Sequence, residues 1–294
     1  MSRTYQVIEA SNAESDSEKL LSLMGELLNY SDGMPNQADV PAAISVHLPH
    51  AHSLVDGIAA EIGNAKHGAY FDVSRNRYAH YFAAGMAYLK SESVILDIGN
   101  APGHVGIGFT MLGHTVRGLN LNANWRSTYP NQTWFEKFNV IETDLESSGI
   151  PVESESFDAI LFTEVLEHVG IKHPLDIIRE MHRILKPGGV VIFSTPNVCN
   201  ISNIYALLRG KNIFWAPEIF YGSLDRHNRE YTPQEVETLM RNACLDPVVT
   251  WGLNDYSNWR GDGADFAQRF IQKFGAEHPL CRNTIAGVYR KKSA

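Results

Sequence analysis

The chain has 294 residues, 44% of them hydrophobic, and a formal net charge of −8; this supports one large core, or one core plus a smaller appendage. The acidic balance argues against a nucleic-acid partner, which calls for a basic footprint, and no apolar run reaches the roughly 20 residues that span a bilayer. Met1–Asp16 is polar, without the apolar stretch of a secretory signal, and Cys199, Cys244 and Cys281 lack metal spacing and suit reduced thiols, so the expectation is a cytoplasmic protein with no membrane partner.

Taken in chain order, Ser17–Asn29 carries Leu20, Leu21, Leu23, Met24, Leu27 and Leu28 at helical spacing, and Leu54–Ile62 repeats the pattern more weakly. Between them Ser31–Pro41, rich in Asp, Gly, Asn and Pro, reads as a loop. Residues 1–69 are therefore expected to form an N-terminal helical lid. After residue 70 the text alternates. Arg75–Leu89 predicts a helix, and Val94–Ile98, Thr115–Leu121, Phe138–Thr143 and Phe157–Phe162 predict four strands. A helix from Glu164 follows, then another over Leu175–Leu185. Lys186-Pro187-Gly188-Gly189 turns into a fifth strand, Val190–Ser194. Pro233–Asn242 is a helix with proline in its first turn, and Val248–Leu253 and Thr284–Arg290 complete the strands. Such alternation predicts an α/β domain, a doubly wound, mostly parallel sheet covered on both faces.

The first strand runs into Leu96-Asp97-Ile98-Gly99-Asn100-Ala101-Pro102-Gly103. In a doubly wound sheet this carboxyl end is where a nucleotide-like ligand binds, and glycines let the backbone approach it. A dinucleotide turn needs glycines two and five residues beyond Gly99. The chain has Ala101 and His104 there, which weighs against a nicotinamide oxidoreductase. The turn instead resembles the Asp-x-Gly-x-Gly-x-Gly of class I S-adenosylmethionine-dependent methyltransferases: Asp97, Gly99 and Gly103 match, and Ala101 departs. Phe157-Asp158-Ala159-Ile160 is similar to that family's fourth strand, and Leu185–Gly189 to the turn before its fifth.

The resemblance covers roughly residues 70–294. It implies a Rossmann-like sheet of seven strands, with S-adenosyl-L-methionine held by Asp97, Gly99, Asn100, Ala101 and Gly103. Asn120 falls where the family's acid holds the ribose hydroxyls, Asp144 and Leu145 where it contacts adenine, and Glu164 beside the cofactor. An amide at 120 lacks the charge-assisted acceptor strength of a carboxylate. Arg75, Arg77 and Tyr78 either touch the methionine carboxylate, as in related enzymes, or form a solvated helix face.

Thr163-Glu164-Val165-Leu166-Glu167-His168 places two carboxylates and an imidazole at i, i+3 and i+4, on one face if the segment is helical. Such a group can bind a divalent metal (Mg, Mn, Fe or Zn), or His168 can serve as the general base. Downstream lies Asp225-Arg226-His227-Asn228-Arg229-Glu230-Tyr231-Thr232. The two motifs together resemble the small-RNA terminal 2′-O-methyltransferases, and the first alone the ubiquinone-biosynthesis O-methyltransferases. The resemblance implies Glu164, Glu167, His168 and His227 as metal ligands, with His168, Glu164 and His227 in catalysis. Glu-x-x-Glu-His also occurs in class I methyltransferases without a metal, so both readings stay open.

Asn197–Arg229 is too long for an ordinary connection. It reads as an insertion after the fifth strand whose Tyr205, Phe214, Trp215, Phe220 and Tyr221 either shape an acceptor pocket or fill the insertion's own core. The expected function is O-methylation of a small hydroxylated metabolite, natural product or sugar. The alternatives are an RNA ribose 2′-O-methyltransferase, which requires a basic channel, and a catalytically silent S-adenosylmethionine-binding protein. The oligomeric state is not set by the sequence.

Overall fold

In the computed structural model, which describes residues 39–121, 123–221, 226–254 and 278–292 with Glu18, Lys19, Ser22 and Ser223, the strand β1 (Val94–Ile98) explains the layering. Its side chains alternate across the pleat. Ile95 enters one apolar cluster, and Leu96 and Ile98 enter the other. β1 lies parallel to β2 (Thr115–Asn120) on one side and β4 (Phe157–Thr163) on the other. Beyond them come β3 (Ile141–Glu142) and β5 (Leu185–Pro196), then β6 (Leu245–Leu253) and β7 (Thr284–Lys291), in the order β3-β2-β1-β4-β5-β7-β6. β7 runs antiparallel to both neighbours, β5 and β6. The sheet thus has seven strands, and its order reverses at β1/β4, where doubly wound sheets place their ligand crevice.

The helices are α1 (Ala42–Ser45), α2 (Leu48–Ile62), α3 (Asn64–Tyr88), α4 (His104–Met111), α5 (Gln132–Lys137), α6 (Pro174–Ile184), α7 (Ile201–Leu208), α8 (Pro217–Phe220) and α9 (Pro233–Asn242). α2, α3 and α4 pack into one core: Leu54, Val55 and Ile58 meet Phe82, Ile107 and Phe109 beside Ile95 and Leu161. α6 buries Ile177, Ile178, Met181 and Ile184 on the opposite face, next to Val236 and Met240 of α9. The start of α9 is fixed by a capping box, in which Thr232 and Glu235 bond each other's backbone N–H.

Several expectations shift. The helix over Arg75–Leu89 begins earlier, at Asn64, and is broken at Gly68 (φ +54°), so the boundary expected near residue 70 lies just past that break. The third strand shrinks to Ile141–Glu142, because Phe138 is drawn into the core at the end of α5. The helix expected from Glu164 does not form. Glu164 has φ +55°, and only a 3-10 turn, Leu166–His168, follows. The helix expected over Ser17–Asn29 lies outside the described residues, apart from Glu18, Lys19 and Ser22. Among the described residues no helix is long and apolar enough to cross a membrane.

Candidate active site

The turn after β1 is shaped by two glycines in left-handed backbone, Gly99 (φ +75°) and Gly103 (φ +91°). A Cβ at Gly99 would lie 2.6 Å from the Val165 side chain, so this turn passes directly beneath the end of β4. Under it runs a closed polar chain. Asn120 Nδ2 donates to the Tyr129 hydroxyl (2.7 Å), Tyr129 donates to Asn100 Oδ1 (2.6 Å), and Asn100 Nδ2 donates to Asp97 Oδ2 (2.7 Å). Asn120 Oδ1 accepts from the Ala101 N–H (3.1 Å), and its carbonyl accepts from Thr143 N (2.9 Å), next to Asp144. Asp97, Gly99, Asn100, Ala101, Gly103, Asn120, Asp144 and Leu145 therefore share one edge of the sheet. Burial raises the Asp97 carboxyl to about 7, opposed by its bond from Asn100. The N–H groups of Gly99, Asn100, Ala101 and Gly103 are all spent within the turn or on β2, so what the turn offers a ligand such as an adenosyl cofactor is the close backbone approach its glycines allow, above a buried carboxyl.

At the end of β4 the strained turn at Glu164 swings its carboxylate away from the position a helix would give it. Oε2 accepts from Arg77 Nη1 (2.7 Å) and Oε1 from the Ser194 hydroxyl (2.6 Å), which also bonds Tyr81. Arg77 is 4% exposed and reaches Ser74 as well (2.9 Å). It is thus no solvated helix residue, whereas Arg75 sits on the outer face paired with Asp56. Tyr78 is buried against His104, 3.3 Å from its Nδ1. The four-residue ligand set is accordingly corrected: Glu164 is engaged by Arg77 and Ser194, and the remaining three residues converge without it.

Glu167, His168 and His227 each bring a donor atom within 4.8 Å of the others. The 3-10 turn points Glu167 inward, where Thr195 Oγ1 donates to Oε2 (2.9 Å). Burial, then the neighbouring Glu164 charge, raises its carboxyl well above the usual range. His168 Nδ1 donates to the Arg226 carbonyl (3.0 Å), and its Nε2 lies 3.8 Å from Glu167 Oε1. His227 Nδ1 bonds Glu230 Oε1 (3.0 Å). The two imidazoles meet edge to face, 5.2 Å apart, and Trp215 flanks His227 at 5.8 Å. Residues far apart in sequence are sewn together by backbone: Asn228 N donates to the Glu167 carbonyl (2.7 Å) and Asn228 Nδ2 to that of His168 (2.7 Å). With Nδ1 bound to an oxygen acceptor, each neutral ring carries its lone pair on Nε2. Two such nitrogens and one carboxylate fit a divalent transition metal.

A cavity of about 560 Å³ opens nearby, between α6 and α9, lined by Gly170, Lys172, His173, Asn228, Arg229 and Tyr231 among others, with none of the expected site residues in its wall. Sequence reasoning also missed Tyr129, Ser194, Thr195 and Glu146. Glu146 Oε1 accepts from three consecutive N–H groups, Gly170 (2.9 Å), Ile171 (2.5 Å) and Lys172 (2.9 Å). Its only sequence signal is its position directly after Asp144-Leu145.

Residues 96–193 match the methyltransferase domain family. A ubiquinone biosynthesis O-methyltransferase of Roseobacter denitrificans is 30% identical over 129 residues, 42% of this chain and 50% of that protein. Another, of Paracidovorax citrulli, is 29% identical over 182 residues, 58% of this chain and 69% of that one. The chain spans about half the length of the curated relatives it matches. A solved S-adenosylmethionine-dependent methyltransferase from Archaeoglobus fulgidus shares the fold, with a TM-score of 0.53 at 14% identity, over 76% of this chain and 100% of that one.

Proposed function

We propose that this chain is a class I S-adenosylmethionine-dependent methyltransferase, a reading supported by its match to the methyltransferase domain family and by its curated relatives, and that it methylates a hydroxyl of a small acceptor such as a phenolic or other hydroxylated metabolite, natural product or sugar. The observation that carries this reading is the Glu167–His168–His227 group, formed by the 3-10 turn after β4 and the loop before α9. The names of the curated relatives support oxygen as the methylated atom.

The cofactor supplies a methyl group on a good leaving group, so the protein's task is alignment and proton removal. Held in line, acceptor and methyl react as neighbours rather than by encounter. An imidazole with its lone pair on Nε2 takes the hydroxyl proton as the bond forms, an effect of about 10²–10⁴-fold. Alternatively, a divalent metal held by Glu167, His168 and His227 would occupy those lone pairs and, in place of an imidazole base, would make that hydroxyl more acidic and orient an adjacent oxygen. Asp97, the glycine turn, Asn120, Asp144 and Leu145 hold the cofactor, and Arg77 fixes Glu164 between the two halves. Exposed Phe214, Trp215 and Tyr221 of the insertion offer faces on which an acceptor ring can lie. The lid expected over residues 1–69 lies partly outside the described residues, and the part described, α1 and α2, packs into the core beside α3 and α4. Among the described residues all three cysteines are free thiols, which suits the cytoplasm.

The test begins with binding. S-adenosylhomocysteine is expected to raise the melting temperature, whereas NAD leaves it unchanged; the reverse result removes the reading. With a panel of phenols, catechols and sugars as acceptors, His227→Ala is expected to cut turnover by about 10²-fold or more while S-adenosylhomocysteine still binds. Unchanged turnover in His227→Ala removes the acceptor-site assignment.

A further inference from the structure

We infer that Glu230, braced by Asn203 of the insertion, is the positioning residue that fixes the tautomer and aim of His227. The inference rests on the reading of the Glu167–His168–His227 group as the acceptor site. His227 sits in a loop with no helix or strand to hold it, and a neutral imidazole has two tautomers, only one of which presents Nε2 as an acceptor. Glu230 Oε1, 3.0 Å from Nδ1, selects that tautomer. Glu230 is itself held: its Oε2 accepts from Asn203 Nδ2 at 3.2 Å. Asn203 is fixed in turn, because Nδ2 also donates to the Val198 carbonyl (3.2 Å) and its backbone N–H to the Asn200 side chain (3.0 Å), which caps α7. Trp215 closes the other side of the ring.

The neighbouring donors are supported in different ways. The Nδ1 of His168 is bound by a main-chain carbonyl, that of Arg226, and Glu167 by the Thr195 hydroxyl. The Nδ1 of His227 is bound by a carboxylate side chain, and that carboxylate is braced from the helix that opens the acceptor insertion. The insertion therefore sets the direction of His227 as well as forming the pocket wall. Were the Glu230–His227 contact merely an i, i+3 ion pair, the ring would carry a proton on both nitrogens and Glu230 would select no tautomer.

The experiment uses the full chain labelled with nitrogen-15 histidine, imidazoles deprotonated, and reads the His227 tautomer by long-range proton–nitrogen correlation, the signal being assigned by its loss in His227→Gln. Co(II) affinity is read by visible absorption, and S-adenosylhomocysteine affinity by calorimetry. Wild type is expected to hold the Nδ1–H form. Glu230→Ala is expected to give a mixture of tautomers and about 10–100-fold weaker Co(II) binding, with unchanged S-adenosylhomocysteine affinity, and Glu230→Asp to restore much of both. Asn203→Ala gives a smaller shift in the same direction. The inference is overturned if wild type carries the proton on Nε2, or if Glu230→Ala alters neither readout. Failure of wild type to bind Co(II), with the tautomer shift intact, sinks the metal reading and leaves the positioning role standing. Failure to bind S-adenosylhomocysteine sinks the proposed function by a separate measurement.

Discussion

At the cofactor edge Asp97, Asn100, Asn120 and Tyr129 are each almost fully buried and spend their polar groups on one another. At the other edge His168 and His227 keep 33% and 29% of their side chains exposed, with each Nδ1 bound to an oxygen. The first edge is rigid before any ligand arrives, because unmaking one bond would orphan a buried group at about 1–3 kcal/mol. The second holds its anchors firmly and leaves its reactive faces open. The function proposed above, with a common donor and a variable acceptor, calls for such a division: one half preorganised for the same molecule in every turnover, the other mounted on an insertion.

The contrast is broken most directly at Gly99. Valine there would have to adopt φ +75° and place its Cβ 2.6 Å from Val165. Backbone strain of about 1–3 kcal/mol adds to that clash. Gly99→Val is expected to weaken S-adenosylhomocysteine binding by on the order of 100-fold or more in calorimetry, with Co(II) affinity changed far less. An equal loss at both sites would show that the two edges are one unit.

The burial of Asp97 sharpens the contrast through pH. Its carboxyl titrates near 3.8 when exposed and is raised to about 7 in the fold. Below the lower value both states are protonated and the group costs nothing. As pH climbs toward 7 the unfolded chain releases its proton while the folded one retains it, so stability falls; above 7 both are ionised and the loss is complete. Asp97→Asn is neutral throughout. The ligand-free variant should gain melting temperature over wild type progressively between about pH 4 and pH 7, then hold a constant gap worth a few kcal/mol. A gap independent of pH would mean that Asp97 is ionised in the fold across this range.

The same division decides what was legible in the sequence. β1 and its turn were readable because their signal is local: an alternating apolar strand followed by glycines whose backbone angles only they adopt easily. Asp97 and Asn100 accordingly lie on that strand and turn, and Asn120 ends β2 beside them. Glu-Val-Leu-Glu-His was misread as a helix because its spacing is identical to that of a helical face. What overrides it is the chain's reversal at Glu164, held by Arg77 from α3 and Ser194 from β5, and neither contact leaves a mark within the motif. From the sequence Arg75 and Arg77 both stand between a contact to the methionine carboxylate and a solvated helix face, and only burial separates the two. Tyr129 acts through partners 9 and 29 residues away, and Glu230, although it stands in the motif of residues 227–232, is braced by Asn203, 27 residues away, a partner that no spacing rule flags. The parts built by backbone conformation were visible, and those built by side chains crossing between elements were not.

Glu146 is where the two edges touch, and it carries the smallest of these predictions. It leaves the Asp144–Leu145 loop of the cofactor edge and places one carboxylate oxygen on the three N–H groups of residues 170–172, directly after His168 and Val169. Three donors on one anion make a stiff link, since charge-assisted bonds are about twice as strong as neutral ones. The link is part-exposed, however, so water replaces much of it when the side chain is removed. Glu146→Ala is therefore expected to weaken S-adenosylhomocysteine binding by only about 3–10-fold, roughly 1 kcal/mol. Its diagnostic effect lies in the coupling. If the strut joins the edges, saturating Co(II) should change S-adenosylhomocysteine affinity in wild type, S-adenosylhomocysteine should change Co(II) affinity by the same factor, and both factors should fall toward one in Glu146→Ala. A variant that loses affinity but keeps the coupling would show that the two halves communicate through the sheet, by way of the packed ends of β1 and β4, rather than over its rim.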